Sequence, residues 1–175
     1  MNFKPQWIIL SIWCVLISVS LLFLSVLKIN RFDSNGSLTA EAMDINFDKK
    51  FVKTVSSQLG HISGSVIHFE ANYCFCQTVA NEHVNAVKTL ASEFNLTNHT
   101  INLSKDNAFN LPSVPAVAVI NHQGLLTYLG PYSSGMFCAE GDGLVEPYML
   151  NKNPEHSKLG ATIITDAKGC YCSVS

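Results

Sequence analysis

Trp7 to Leu27 runs for 21 residues without a charge. No soluble surface tolerates such a stretch, and at 1.5 Å per helical residue it spans a hydrocarbon core of ~30 Å. The run therefore divides the chain: one apolar helix, then whatever the remaining residues build in water. Trp7, at its start, suits the membrane interface. A cleaved signal peptide is the rival reading. Its apolar region is normally ~7–15 residues and leads directly into a small-x-small cleavage site. Here the run is longer, and Ala40-Glu41-Ala42 lies well beyond Leu27, so an uncleaved anchor is expected. Lys4 precedes the run while Lys28 and Arg31 follow it, so charge does not fix orientation. With residues 1–6 as a short inner tail, the sequence reads as a single-pass inner-membrane protein with its C-terminal domain in the periplasm.

Beyond the anchor roughly 130–145 residues remain, enough for one domain with its own core. The net charge is −2, and no basic stripe argues for nucleic acid. Residues 28–45 are polar, contain Ser34-Asn35-Gly36-Ser37, and read as a linker. Phe47, Phe51, Val52, Val55 and Leu59 recur at helical spacing, predicting a helix over 46–59. Val66–Phe69 reads as a short strand and Gln77–Phe94 as an amphipathic helix, with His83 on its apolar face. Strands follow at His99–Leu103, Ala116–Ile120 and Leu125–Leu129, the last two joined by a turn at His122-Gln123-Gly124. A short helix over 141–150 and a strand at Ala161–Thr165 complete a compact α/β layered domain.

The chemistry-bearing stretch is Val66-Ile67-His68-Phe69-Glu70-Ala71-Asn72-Tyr73-Cys74-Phe75-Cys76. Two thiols stand where a strand hands over to a helix N-terminus. The first-turn N–H groups and the helix dipole there favour thiolate over thiol. Cysteines of that kind exchange disulfides or bind soft metals. Three further cysteines lie outside the apolar run, at Cys138, Cys170 and Cys172, and Cys-Tyr-Cys echoes Cys-Phe-Cys. A Cys74–Cys76 bond needs a tight turn, because neighbours two apart are too distant in a strand and point apart in a helix. The alternative is that each uses another partner. The bland readings are buried structural thiols at Cys74 and Cys76, and a tail stapled through one bridge to Cys138. His68, in an apolar strand, is on general grounds a satisfied core histidine.

Two segments resemble the thioredoxin-like superfamily. Ile67 to Cys74 resembles the strand entering that family's aromatic-Cys site. Val114-Pro115-Ala116-Val117-Ala118-Val119-Ile120, with His122-Gln123-Gly124 after it, resembles the cis-proline strand and its hairpin. The layout is similar to membrane-anchored periplasmic thioredoxin-like thiol–disulfide oxidoreductases, over about residues 46–150, with residues 151–175 as a Cys-containing extension. The resemblance implies a mixed sheet flanked by helices, with Cys74 as attacking thiolate and Cys76 as resolving thiol. It also implies a cis Pro115 beside the sulfurs and a proton-relay role for His68. The same layout implies that Cys138, Cys170 and Cys172 arrive at the active-site edge as accessory redox residues. This sequence departs from the family in its Cys-x-Cys spacing, in Tyr73 where tryptophan is usual, and in His68 where thioredoxin itself has an acid.

The leading expectation is thus a membrane-anchored oxidoreductase without a cofactor, acting on protein thiols or disulfides and paired with a membrane redox partner. One rival is a metal module in which Cys74, Cys76, Cys170 and Cys172 hold copper or zinc. Another is a non-catalytic interaction domain with structural disulfides.

Overall fold

The computed structural model describes residues 5–26, 29–72, 74–103, 108–135, 143–149 and 160–174. The apolar run forms α1, Pro5–Val26. Two of its hydroxyls bond back within the helix: Ser11 donates to the Trp7 carbonyl at 2.9 Å and Ser18 to that of Cys14 at 2.8 Å. Nothing in its window Gln6–Phe23 is buried against the rest of the chain, and it is long and apolar enough to cross a membrane.

The domain is a mixed α/β structure around a five-stranded sheet. In chain order it contains β1 (Ile29–Arg31), α2 (Ser37–Ala42), α3 (Phe47–Leu59), β2 (Ser65–Glu70), α4 (Phe75–Glu93) and β3 (Thr97–Asn102). Then come β4 (Ser113–Val114), β5 (Ala116–Ile120), β6 (Leu126–Gly130), α5 (Glu146–Met149), β7 (Thr162–Ile163), β8 (Lys168–Cys170) and β9 (Cys172–Ser173). The central order is β3-β2-β5-β6-β7. β2 runs parallel to β3 and antiparallel to β5, β5 and β6 form a hairpin, and β7 lies parallel to β6. The hairpin turns on Asn121, whose side-chain oxygen accepts from the N–H groups of Gln123 and Leu125, and on Gly124 at φ 77°.

Every residue of β5 is buried, as befits a strand covered on both faces. Alternation sends Val66, Val117 and Val119 to one side, where they meet Ala80, Val84 and Val87 of α4 and Met149 of α5. It sends Ile67, Phe69, Ala118 and Ile120 to the other, against Phe47, Phe51 and Val55 of α3. A cluster of aromatic rings, Phe51, Phe69 and Phe109, fills this second side.

The stretch 28–45 is not the linker its composition suggests. Phe32 and Leu38 have no exposed surface. β1 pairs antiparallel with β8, and the Phe32 and Asp33 N–H groups donate to the Ala167 and Thr165 carbonyls. The Asp33 carboxylate in turn accepts from the Thr39 N–H at 2.8 Å and the Thr39 hydroxyl at 2.7 Å, fixing the first turn of α2. Residues 160–174 are likewise no appendage. β7 joins the central sheet, and Ala167, Tyr171 and Val174 enter the same core as α3. The two ends of the domain therefore hold each other. Neither end could bury its few apolar residues alone.

Candidate functional site

β2 delivers the chain to the sheet edge, and Cys74 stands there as the N-cap of α4 with extended backbone, φ −86° and ψ 110°. Cys76 sits one position inside the first turn. Both are nearly covered, at 7% and 5% exposure, while Phe75 between them is 66% exposed. Successive residues of the turn thus point opposite ways, which turns both sulfurs toward the core.

The sulfurs do not bond to each other. Cys74 is joined to Cys172 at 2.15 Å and Cys76 to Cys170 at 2.09 Å, with Cα separations of 5.9 and 5.3 Å. Cys-Phe-Cys and Cys-Tyr-Cys lie antiparallel and are clasped by two rungs. This replaces a Cys74/Cys76 pair, and also a tail staple to Cys138, as the connectivity of Cys170 and Cys172. Geometry explains the choice: an i, i+2 pair at a helix start diverges, whereas two facing segments meet. The bridges are close neighbours: Sγ of Cys74, Cys76 and Cys172 all lie within 4.8 Å of one another. Cys170 and Cys172 are the partly exposed members. Cys138 lies outside the described residues. Cys14 is exposed on α1 and unpaired.

Pro115 borders the cluster. The Val114–Pro115 peptide bond is cis, and Sγ of Cys74 lies 3.9 Å from the Val114 carbonyl oxygen. The strand before the proline, β4, is occupied by β9: Val114 stands opposite Cys172 and Ser113 opposite Ser173. On the other flank an open cleft of about 530 Å³ is lined by Glu70, Asn72, Cys74, Phe75, Gln77 and Asn102 among others. Glu70 there is half-buried and paired with Lys88 at 3.3 Å. The buried Gln77 side-chain oxygen has no hydrogen-bond partner among the described residues.

His68 is placed elsewhere. Its neighbours Ile67 and Phe69 pack with the sulfurs, so alternation turns His68 to the α4 side of the sheet. It is fully buried, with Nδ1 2.6 Å from the Tyr132 hydroxyl and Nε2 2.8 Å from the Asn98 side-chain oxygen. Burial lowers its pKa to about 4, so the ring is neutral at physiological pH. Both nitrogens are committed to partners other than sulfur, which matches a satisfied core histidine rather than a relay to the thiols. A second histidine, His83, expected from the sequence on a helix face or the surface, is also buried. His83 is 1% exposed, with Nε2 2.6 Å from a Glu146 carboxylate oxygen. Its place on the apolar face of α4 was the available signal.

Chemically, a thiolate freed from either bridge lies within reach of the other, so exchange can pass between them. With the bridges reduced, Cys74, Cys76 and Cys172 are the residues able to hold a soft metal ion.

The family model described as a domain of unknown function, DUF6436, matches residues 43–174, three quarters of the chain, and the chain belongs to that family. The match takes in all four bridged cysteines and Pro115, but neither β1 nor α2. No curated protein and no solved structure matches the chain.

Proposed function

For this DUF6436 member we propose a membrane-anchored thiol–disulfide oxidoreductase of thioredoxin-like fold, acting on protein thiols or disulfides. The observation that carries the proposal is the pair of adjacent bridges at a helix N-terminus, with three of their sulfurs inside 4.8 Å. The cis Pro115 beside Cys74, and a sheet with β2 and β3 parallel and β5 and β6 antiparallel, support the fold assignment.

A substrate thiolate attacks the Cys74 sulfur. The Cys74–Cys172 bond breaks, and Cys172 leaves as a thiolate that takes a proton. A second substrate thiol then displaces Cys74, which leaves as a thiolate stabilised by the first turn of α4, and the substrate departs as a disulfide. Two electrons have entered the protein. Run in reverse, the same steps reduce a substrate. The Cys74 thiolate then attacks Cys76 Sγ next door, the Cys76–Cys170 bond breaks and Cys170 takes a proton. Cys172 attacks Cys74 Sγ, restoring Cys74–Cys172 and releasing Cys76, so the two electrons end on Cys76 and Cys170. The anchor, α1, holds the domain on the periplasmic side of the inner membrane, close to a membrane redox partner.

The test equilibrates the full chain in detergent micelles with glutathione buffers, alkylates the free thiols and reads intact mass. Reduction at a potential above about −300 mV, with catalysis of exchange lost in Cys74→Ser, supports the enzyme. Bridges that reduce only below that value, with no effect of Cys74→Ser on exchange, leave structural disulfides alone.

The same three-sulfur cluster favours one second reading, a thiolate site for Cu(I) or Zn²⁺ in the reduced chain, with Cys170 as a fourth donor. Copper or zinc retained in native mass spectra, with the thiols reduced, favours that reading over exchange.

A further inference from the structure

Residues 169–174 are an extended peptide bound at the site by its own chain. The backbone is held on both sides of Cys-Tyr-Cys. Cys170 lies opposite Ile29 in the β1–β8 pair, and Cys172 opposite Val114 in the β4–β9 pair. The Val174 N–H donates to the Pro112 carbonyl at 3.0 Å. The sulfurs are held by Cys74 and Cys76. Between them Tyr171 is buried to 6% exposure, edge-on to Phe32 at 5.3 Å between ring centroids, and its hydroxyl donates to the Ser133 carbonyl at 2.8 Å. The residue before the first cysteine is also specified. A Cβ on Gly169 would lie 2.6 Å from the Gly135 carbonyl oxygen, a backbone atom that cannot step aside. The groove therefore reads glycine, cysteine, aromatic, cysteine, in extended form.

The strands that hold this peptide are only two and three residues long, and such pairs are not stable by themselves. The two bridges supply most of the hold, and exchange chemistry is what opens them. We infer that the exchange partner is a protein segment carrying Gly-Cys-aromatic-Cys, which displaces residues 169–172 and docks antiparallel on β4. This rests on the exchange reading and names its substrate class. The displacement balances without an added oxidant. A partner thiolate attacks Cys74 Sγ, the new S–S bond forms, the Cys74–Cys172 bond breaks, and Cys172 leaves as a thiolate that is protonated by water. The same step at Cys76 frees Cys170. Two partner thiols enter and two tail thiols depart.

Because the tethered tail competes at an effective concentration on the order of millimolar, the clean test removes its sulfurs. The probe is a synthetic peptide of residues 167–175 whose two cysteines carry 2-nitro-5-thiobenzoate. It is added to the full chain bearing C170S and C172S, in detergent micelles. Attack by Cys74 or Cys76 releases the coloured thiolate. The expected initial rate is at least tenfold above that of a scrambled peptide of the same composition, and of one with glycine in place of the tyrosine. Mass mapping should join the second peptide cysteine to Cys74. Equal rates for all three peptides, while free 5,5′-dithiobis(2-nitrobenzoate) still reacts rapidly with both thiols, overturn this inference and leave the exchange reading standing. Thiols that react with none of these reagents in the folded protein overturn both. If circular dichroism shows the variant unfolded, the reduced native chain serves in its place. The criterion is then the same tenfold ratio, with the peptides at concentrations above the tail's effective concentration.

Discussion

The two bridges are nested, and this fixes how their stabilities combine. Cys74–Cys172 spans 98 residues of sequence and Cys76–Cys170 spans 94. Alone, either closes a loop of roughly 100 residues in the unfolded chain, worth about 4.7 kcal/mol in the chain-entropy account. Once one is in place, the other closes only a ring of the six residues 74–76 and 170–172, worth about 2 kcal/mol. Removing one bridge should therefore cost about 2 kcal/mol, and removing both about 7 kcal/mol. The perturbations are C74A with C172S, C76A with C170S, and all four together. Alanine is chosen at the buried positions so that no unpaired hydroxyl is buried, and serine at the partly exposed ones. Lost sulfur packing adds about 1 kcal/mol per buried site and is additive, so the diagnostic is the excess of about 3 kcal/mol in the quadruple variant. The assay is urea unfolding of the full chain in micelles, followed by near-ultraviolet circular dichroism. A quadruple variant whose loss equals the sum of the two pairs would refute the nested-loop argument.

Two further outcomes follow from the buried groups. Neutral His68, with its pKa lowered from 6.5 to about 4 by burial, contributes stability that is fully present above pH 6.5. That stability falls as the pH drops, because the unfolded chain takes up the proton first, and the loss is complete below about pH 4. The total is about 3 kcal/mol, and His68→Gln should flatten urea midpoints across that window without altering the pH profile of thiol exchange. An exchange profile that shifts in His68→Gln would restore a proton-relay role. Phe32→Ala should cost about 3–5 kcal/mol in the same unfolding assay, since the ring is fully buried against Tyr171. A cost near zero would mean that residues 29–33 are a tether after all.

The parts of the fold legible in the sequence are those that carry a period. Phe47, Phe51 and Val55 mark α3 at helical spacing, and the unbroken Ala116–Ile120 run marks a strand buried on both faces. The strand-to-helix step at Cys74 was readable for the same reason, because the apolar run of β2 stops and the helical pattern of α4 begins. The 28–45 stretch reads as a linker because Phe32 and Leu38 are isolated among polar residues and show no period. Their burial depends on β8, which lies some 140 residues further along. His68 and His83 were visible as histidines on apolar faces. Their partners Tyr132, Asn98 and Glu146 are 64, 30 and 63 residues further along and share no local pattern with them.

By itself, then, the sequence determined one apolar helix, one α/β domain, and two thiols set at a helix start. These follow from hydrophobic period and residue type, which act over a few neighbours. Only the tertiary structure decided which sulfur meets which, and that β4 and β1 are covered by the tail. Strands of two or three residues have no period to read, and a disulfide forms where two Cβ atoms are brought to bonding distance, however far apart they lie in sequence.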